Sequence, residues 1–115
     1  MTEYVEYLKE VFELFGPVQA RRMFGGYGLY HEGLMFALVS RDVLYLKTDD
    51  TNRPDFEALG LGPFEYTKQG GLQKIAYHRA PDEVMDDREL AAVWARRSFA
   101  AALRARAREV RPKAE

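Results

Sequence analysis

The residues able to do chemistry are few, and their spacing suits chemistry poorly. His31 and His78 are the only histidines; one sits in a predicted turn and the other near the end of a predicted strand. Neither belongs to a His-x-x-x-His or Glu-x-x-His pair that would set two metal ligands on one helix face, so both are expected at the surface or at an edge. Asp49 and Asp50, followed by Asp55 and Glu57, could be drawn as paired general acids. Asp and Asn before a helix act more often as caps, and acids in the first turn suit the helix dipole. Asp82, Glu83, Asp86 and Asp87 read the same way. Ser40 and Ser98, the only serines, sit in neither Gly-x-Ser-x-Gly nor Ser-x-x-Lys. The chain has no cysteine, which removes thiolate nucleophiles, thiolate zinc sites and disulfides together. The parts of an enzyme are missing, and no metal or cofactor is expected.

A glycine cluster, Gly25-Gly26-Tyr27-Gly28, invites a phosphate-loop reading. Such a loop needs glycines between a strand and a helix, so that backbone N–H groups and the helix terminus face the anion. Here no Gly-Lys-Ser/Thr follows and the next element is a strand. Glycine inside a strand marks a bulge, a bend or a close approach. Gly26 and Gly28 share one strand face, which leaves that face bare. A large group is expected to cover it: a tyrosine or tryptophan from a helix, or else a partner or ligand.

These residues need positioning elements, and the periodicity supplies them. Val5, Leu8, Phe12 and Phe15 predict a helix over residues 3–15, with Thr2 as N-cap and Gly16-Pro17 as stop. Residues 22–30, 34–40 and 43–48 read as strands joined by short turns. A short helix with Phe56 and Leu59 follows the candidate caps 49–52, and Gly60 ends it. Strands at 64–68 and 72–79 are joined by Gln69-Gly70-Gly71. A long helix covers 87–108, with Asp86 and Glu89 at capping-box spacing. Its stripe is Leu90, Trp94, Ser98, Ala101, Ala102 and Ala105. The expected fold is α+β: a two-layer sandwich, α-β-β-β-α-β-β-α, with an antiparallel five-stranded sheet. A single domain spans 1–108, and 109–115 is a frayed tail.

Composition agrees. The chain has 115 residues, 47% hydrophobic and 30% charged, with net charge −1. That is enough for one core and gives no overall pull towards nucleic acid. With no apolar run near the ~18 residues of a membrane span and an acidic, amphipathic start, a soluble cytoplasmic protein is expected.

Arg22-Met23-Phe24-Gly25-Gly26 with Gly28 stands in register with Lys47, Asn52-Arg53, Phe56 and Tyr66, and with WARRSFAAA near the end. In these features the chain resembles the N-terminal domain of the TfoX/Sxy family, bacterial regulators of competence for DNA uptake. The similarity covers about residues 4–103. It implies a secretion-chaperone-like two-layer sandwich and no known catalytic residues. It also implies a role in transcription of competence genes alongside the cyclic-AMP receptor protein. Those regulators carry a second, C-terminal domain, whereas this sequence stops after the closing helix and resembles the stand-alone form.

Three functional surfaces follow. Strands 34–40 and 43–48 are apolar on both faces, although a two-layer fold leaves one sheet face wet. An interaction surface is therefore expected around Met35, Val39, Phe99 and Leu103, rimmed by Arg96, Arg97 and Arg104. Its occupant would be a homodimer mate or a protein partner in transcription regulation. A less favoured nucleic-acid surface would use Tyr66, Lys68, Lys74, Tyr77 and Arg79 around one hairpin, with Arg106 and Arg108 of the basic helix end adding phosphate contacts. A small-ligand sensor would place its pocket against Gly26 and Gly28. No membrane contact is expected.

Overall fold

The computed structural model describes residues 2–23 and 25–110, without the side chains of Gln73 and Val110. Elements run in the order α1 (Glu3–Val11), β1 (Gln19–Met23), β2 (Gly26–His31), β3 (Leu34–Ser40), β4 (Val43–Lys47), α2 (Arg53–Glu57), β5 (Pro63–Lys68), β6 (Gly71–Arg79), a 3-10 turn (Asp82–Met85) and α3 (Arg88–Val110). The α+β class and antiparallel pairing are as expected, but the sheet has six strands among the described residues, ordered β1-β2-β3-β4-β6-β5. The expected strand over 22–30 is in fact the end of one strand and the whole of the next. Between Met23 and Gly26 the chain reverses, with Gly25 at φ +78; Phe24 lies outside the described residues. Only glycine takes that conformation at little steric cost.

Helix α1 ends at Val11, short of the expected Phe15, and turns carry the chain to Gly16. Thr2 caps it, its hydroxyl accepting from Val5 N–H at 3.1 Å. Helix α3 is capped by Asp87 rather than Asp86: the Asp87 carboxylate accepts from Leu90 N–H at 3.0 Å. The helix continues to Val110, two residues past the expected end. The frayed tail falls, from residue 111 on, outside the described residues.

All three helices bury residues against one face of the sheet. Val5, Leu8, Val11 and Phe12 meet Leu29, Phe36, Val39, Leu44 and Leu46, while Phe56, Ala91, Trp94 and Ala95 close the same core. The aromatic rings lock edge to face: Phe12 on Phe36 at 5.5 Å and Phe56 on Trp94 at 4.9 Å between centroids. Such pairs stabilise by about 1 kcal/mol beyond area burial. Leu59, expected beside Phe56, is instead exposed.

In the middle of α3 the fully buried Ser98 hydroxyl has no hydrogen-bond partner. A buried polar group left unpaired costs about 1–3 kcal/mol. Ser98→Ala is therefore expected to raise the unfolding free energy by about 1 kcal/mol in chemical denaturation; a loss of stability instead would mean the hydroxyl has a partner.

Candidate interaction face

The glycines resolve first. A Cβ on Gly26 would lie 2.1 Å from the carbonyl oxygen of Val39, so this glycine exists to let β3 approach. A Cβ on Gly28 would meet the sulfurs of Met23 and Met35 at 2.9 and 3.0 Å. The expected tyrosine or tryptophan from a helix is absent from these contacts. Thioethers and the neighbouring strand cover the bare face, because that face points away from the helices.

A β-bulge between Leu29 and Tyr30 then decides which side chains share a face. Leu29 pairs with Ala37, but Tyr30 pairs with Met35, leaving Phe36 as the extra residue. Phe36, Ala37 and Val39 all sit in the helix-covered core, while Met35 and the nearly buried Leu38 go to the other side. The expected surface of Met35, Val39, Phe99 and Leu103 therefore does not assemble. Val39 is 3% exposed in the core, and Phe99 meets Phe15 and His31 edge to face at 5.8 and 4.9 Å between centroids. Leu103 is exposed on α3, and Met35 is a sheet thickness away. Its arginine rim is also engaged in part: Arg97 pairs with Asp55 at 3.6 Å and Arg104 with Asp49 at 2.6 Å. Arg96 is exposed.

The hairpin grouping fares no better as a nucleic-acid platform. Tyr77 is 8% exposed with the Lys47 ammonium over its ring at 5.0 Å, and burial pushes its hydroxyl up to about 12, with Tyr30 a smaller cause. Lys74 pairs with Glu65 at 3.8 Å and Arg79 with Asp82 at 3.8 Å. Tyr66 and Lys68 remain exposed on β5, and Arg106 and Arg108 on the end of α3.

What the structure does assemble is a concave face: residues of β1, β2 and β3 line one cavity together with residues of β5 and β6, although β4 lies between them in the sheet. Strand β6 pairs with β4 only at Tyr77, His78 and Arg79. The rest of the β5–β6 hairpin arches over the helix-free side, with Phe64 edge-on to Tyr45 at 4.9 Å and stacked on Tyr66 at 6.2 Å. Beneath the arch lies a cavity of about 590 Å³, between Met23, Gly26 and Leu38 on one side and Phe64, Tyr66 and Ile75 on the other.

His78 is buried and His31 partly so, against the surface or edge placement expected of them. The His31 side chain is 13% exposed; its Nδ1 lies 2.8 Å from the Pro17 carbonyl oxygen, and its ring lies tilted on Phe15 at 4.5 Å. His78 is 6% exposed, with Nδ1 3.0 Å from the Thr48 hydroxyl. Burial pulls the His78 pKa below the ordinary histidine value, so the ring stays neutral near pH 7.

The acidic run 49–57 is a structural lock. No side chain caps α2; Asn52 instead accepts from Asp49 N–H at 2.8 Å and donates to the Lys47 carbonyl at 3.0 Å. Asp49 accepts from Thr51 N–H at 3.0 Å and takes a fork from Arg104, Nε at 2.6 Å and Nη2 at 3.0 Å. That fork is the main cause holding its carboxyl at about 2. The pairing spans 55 residues, and nothing in the spacing of the sequence announced it.

Among the described residues no group of three or more His, Cys, Asp and Glu side chains could hold a metal ion, and no helix is long and apolar enough to cross a membrane. Comparison with known proteins supplies what this geometry alone does not. The chain is 36% identical over 62 residues to the DNA transformation protein TfoX1 of Aliivibrio fischeri (strain ATCC 700601 / ES114); the match covers 54% of this chain and 30% of that protein. Less than a third of the relative is thus represented. The family model of the TfoX N-terminal domain matches residues 10–102, which include every strand, α2 and most of α3. By that match the chain belongs to the TfoX N-terminal domain family.

Proposed function

We propose that this chain is a non-enzymatic regulatory module in competence for DNA uptake. It would act in the cytoplasm by docking on a protein of the transcription machinery or on a second copy of itself. The observation that carries the reading is the concave, helix-free sheet face, where Met35, Leu38, Tyr45 and the β5–β6 hairpin gather apolar and aromatic groups. Aromatic anchors in such a setting supply much of the affinity at protein interfaces. The family and the name of the relative support the competence role.

The test is genetic. Overproduction of the wild-type chain in its own host should raise natural-transformation frequency and competence-gene transcripts. Tyr66→Glu and Ile75→Glu, checked for an unchanged melting temperature, should remove the rise. No rise with the wild type sinks the competence role. A full rise with folded variants sinks the assignment of the face.

A further inference from the structure

The cavity under the β5–β6 arch opens to solvent past Tyr66, Thr67 and Lys68, and its lining is otherwise mostly apolar. At about 590 Å³ it falls in the range of small-molecule sites, ~300–1,000 Å³. Gly26 does not create it, since the missing Cβ there is dictated by the Val39 carbonyl. The arch does: Phe64 rests on Tyr45, and beyond that contact the hairpin carries Tyr66 and Ile75 across the sheet face.

Among the described residues the lining holds a single charge. Lys68, near the tip of the hairpin, borders the cavity and makes no ion pair among the described residues, whereas Lys74 on the facing strand is paired with Glu65. Ser40 and Thr67 add hydroxyls. An apolar chamber bordered by one uncompensated ammonium and two hydroxyls complements a molecule with an apolar body and one anionic end. A neutral apolar molecule would gain nothing from the ammonium, and a cationic one would be repelled.

We propose that this cavity binds a small amphipathic monocarboxylate, its apolar body between Leu38 and the Phe64–Tyr66 wall and its carboxylate at Lys68. The site shares the concave face with the docking role but does not depend on it. Binding is read on purified protein and competence in cells, so either can fail alone.

Isothermal titration of the whole chain with decanoate, decanol and decylamine tests the proposal, with thermal melts of each variant as the folding check. Decanoate is expected to bind saturably at one site and about fivefold more tightly than decanol, the margin of a partly exposed ion pair. Lys68→Met, at an exposed position, should bring decanoate to the level of decanol and leave decanol unchanged. Ile75→Trp, which fills the cavity, should weaken both. The proposal is overturned by an absence of saturable decanoate binding, by equal affinity for decanoate and decanol, or by decanoate binding that Ile75→Trp leaves intact.

Discussion

Gly26→Ala is expected to lower the unfolding free energy by about 3 kcal/mol, the upper end of what forced overpacking costs. The added methyl would lie 2.1 Å from the Val39 carbonyl oxygen, a backbone atom on the neighbouring strand that cannot rotate aside. Relief requires β2 and β3 to separate near the Tyr27–Val39 pair, close to the middle of the sheet. Gly28→Ala is the control. Its nearest neighbours are the sulfurs of Met23 and Met35, at the ends of flexible side chains, and thioethers adapt readily. It should cost about 1 kcal/mol. Denaturant melts of the two variants give the comparison directly, and equal losses would mean that the close approach at Gly26 does not exist.

The second large effect concerns the Asp49–Arg104 fork. Asp49 is 12% exposed at its side chain and its pKa falls from 3.8 to about 2, but Arg104 is 38% exposed, so after solvent screening the fork contributes about 1 kcal/mol. Asp49→Asn and Arg104→Met should each cost about that much, and the double variant should cost little more than either, because both remove one interaction. The sign of the pH dependence follows. A carboxyl whose folded pKa is depressed contributes fully above its unfolded value, so this stabilisation is intact above about pH 4 and fades as pH falls towards about 2. His78 acts in the same direction in a higher window. Its folded pKa is lowered, so the unfolded chain takes up a proton first, and stability begins to fall as pH drops below about 6.5. Urea melts between pH 7 and pH 3 should therefore show two declines. Asp49→Asn should erase the lower and spare the upper; a single unbroken decline in both proteins would contradict the assignment.

Much of the architecture was legible because local chemistry and tertiary structure agree. The 3–4 spacing of Val5 and Leu8, the glycine turns at Gly33 and Gly70, and the apolar run of β3 all behave as their periodicity demands. Strand β1 was largely missed for a physical reason: Gln-Ala-Arg-Arg-Met at a sheet edge is mostly exposed, so it carries no apolar alternation to detect. The strand half of the interaction surface was misassigned at one residue. Strict alternation puts Met35 with Val39, but the bulge at Phe36 shifts the parity and sends them to opposite faces. Bulges have no reliable signature in a single sequence. The Asp49–Arg104 fork and the arch over the cavity were equally hidden, since both arise from contacts between distant segments.

The order of the elements also bears on how the chain is made. Strands β1 to β4 form a meander of neighbours in sequence, so their pairing needs only short-range closure. Their core face, however, is sealed largely by Trp94, Ala95 and the rest of α3, close to the end of the chain. A ribosome that has delivered residues 1–87 holds a sheet whose Phe36, Leu44 and Leu46 lack that cover. Until α3 emerges and Arg104 reaches Asp49, that apolar face stays open to water, and stalling within α3 is where aggregation during synthesis is expected to begin.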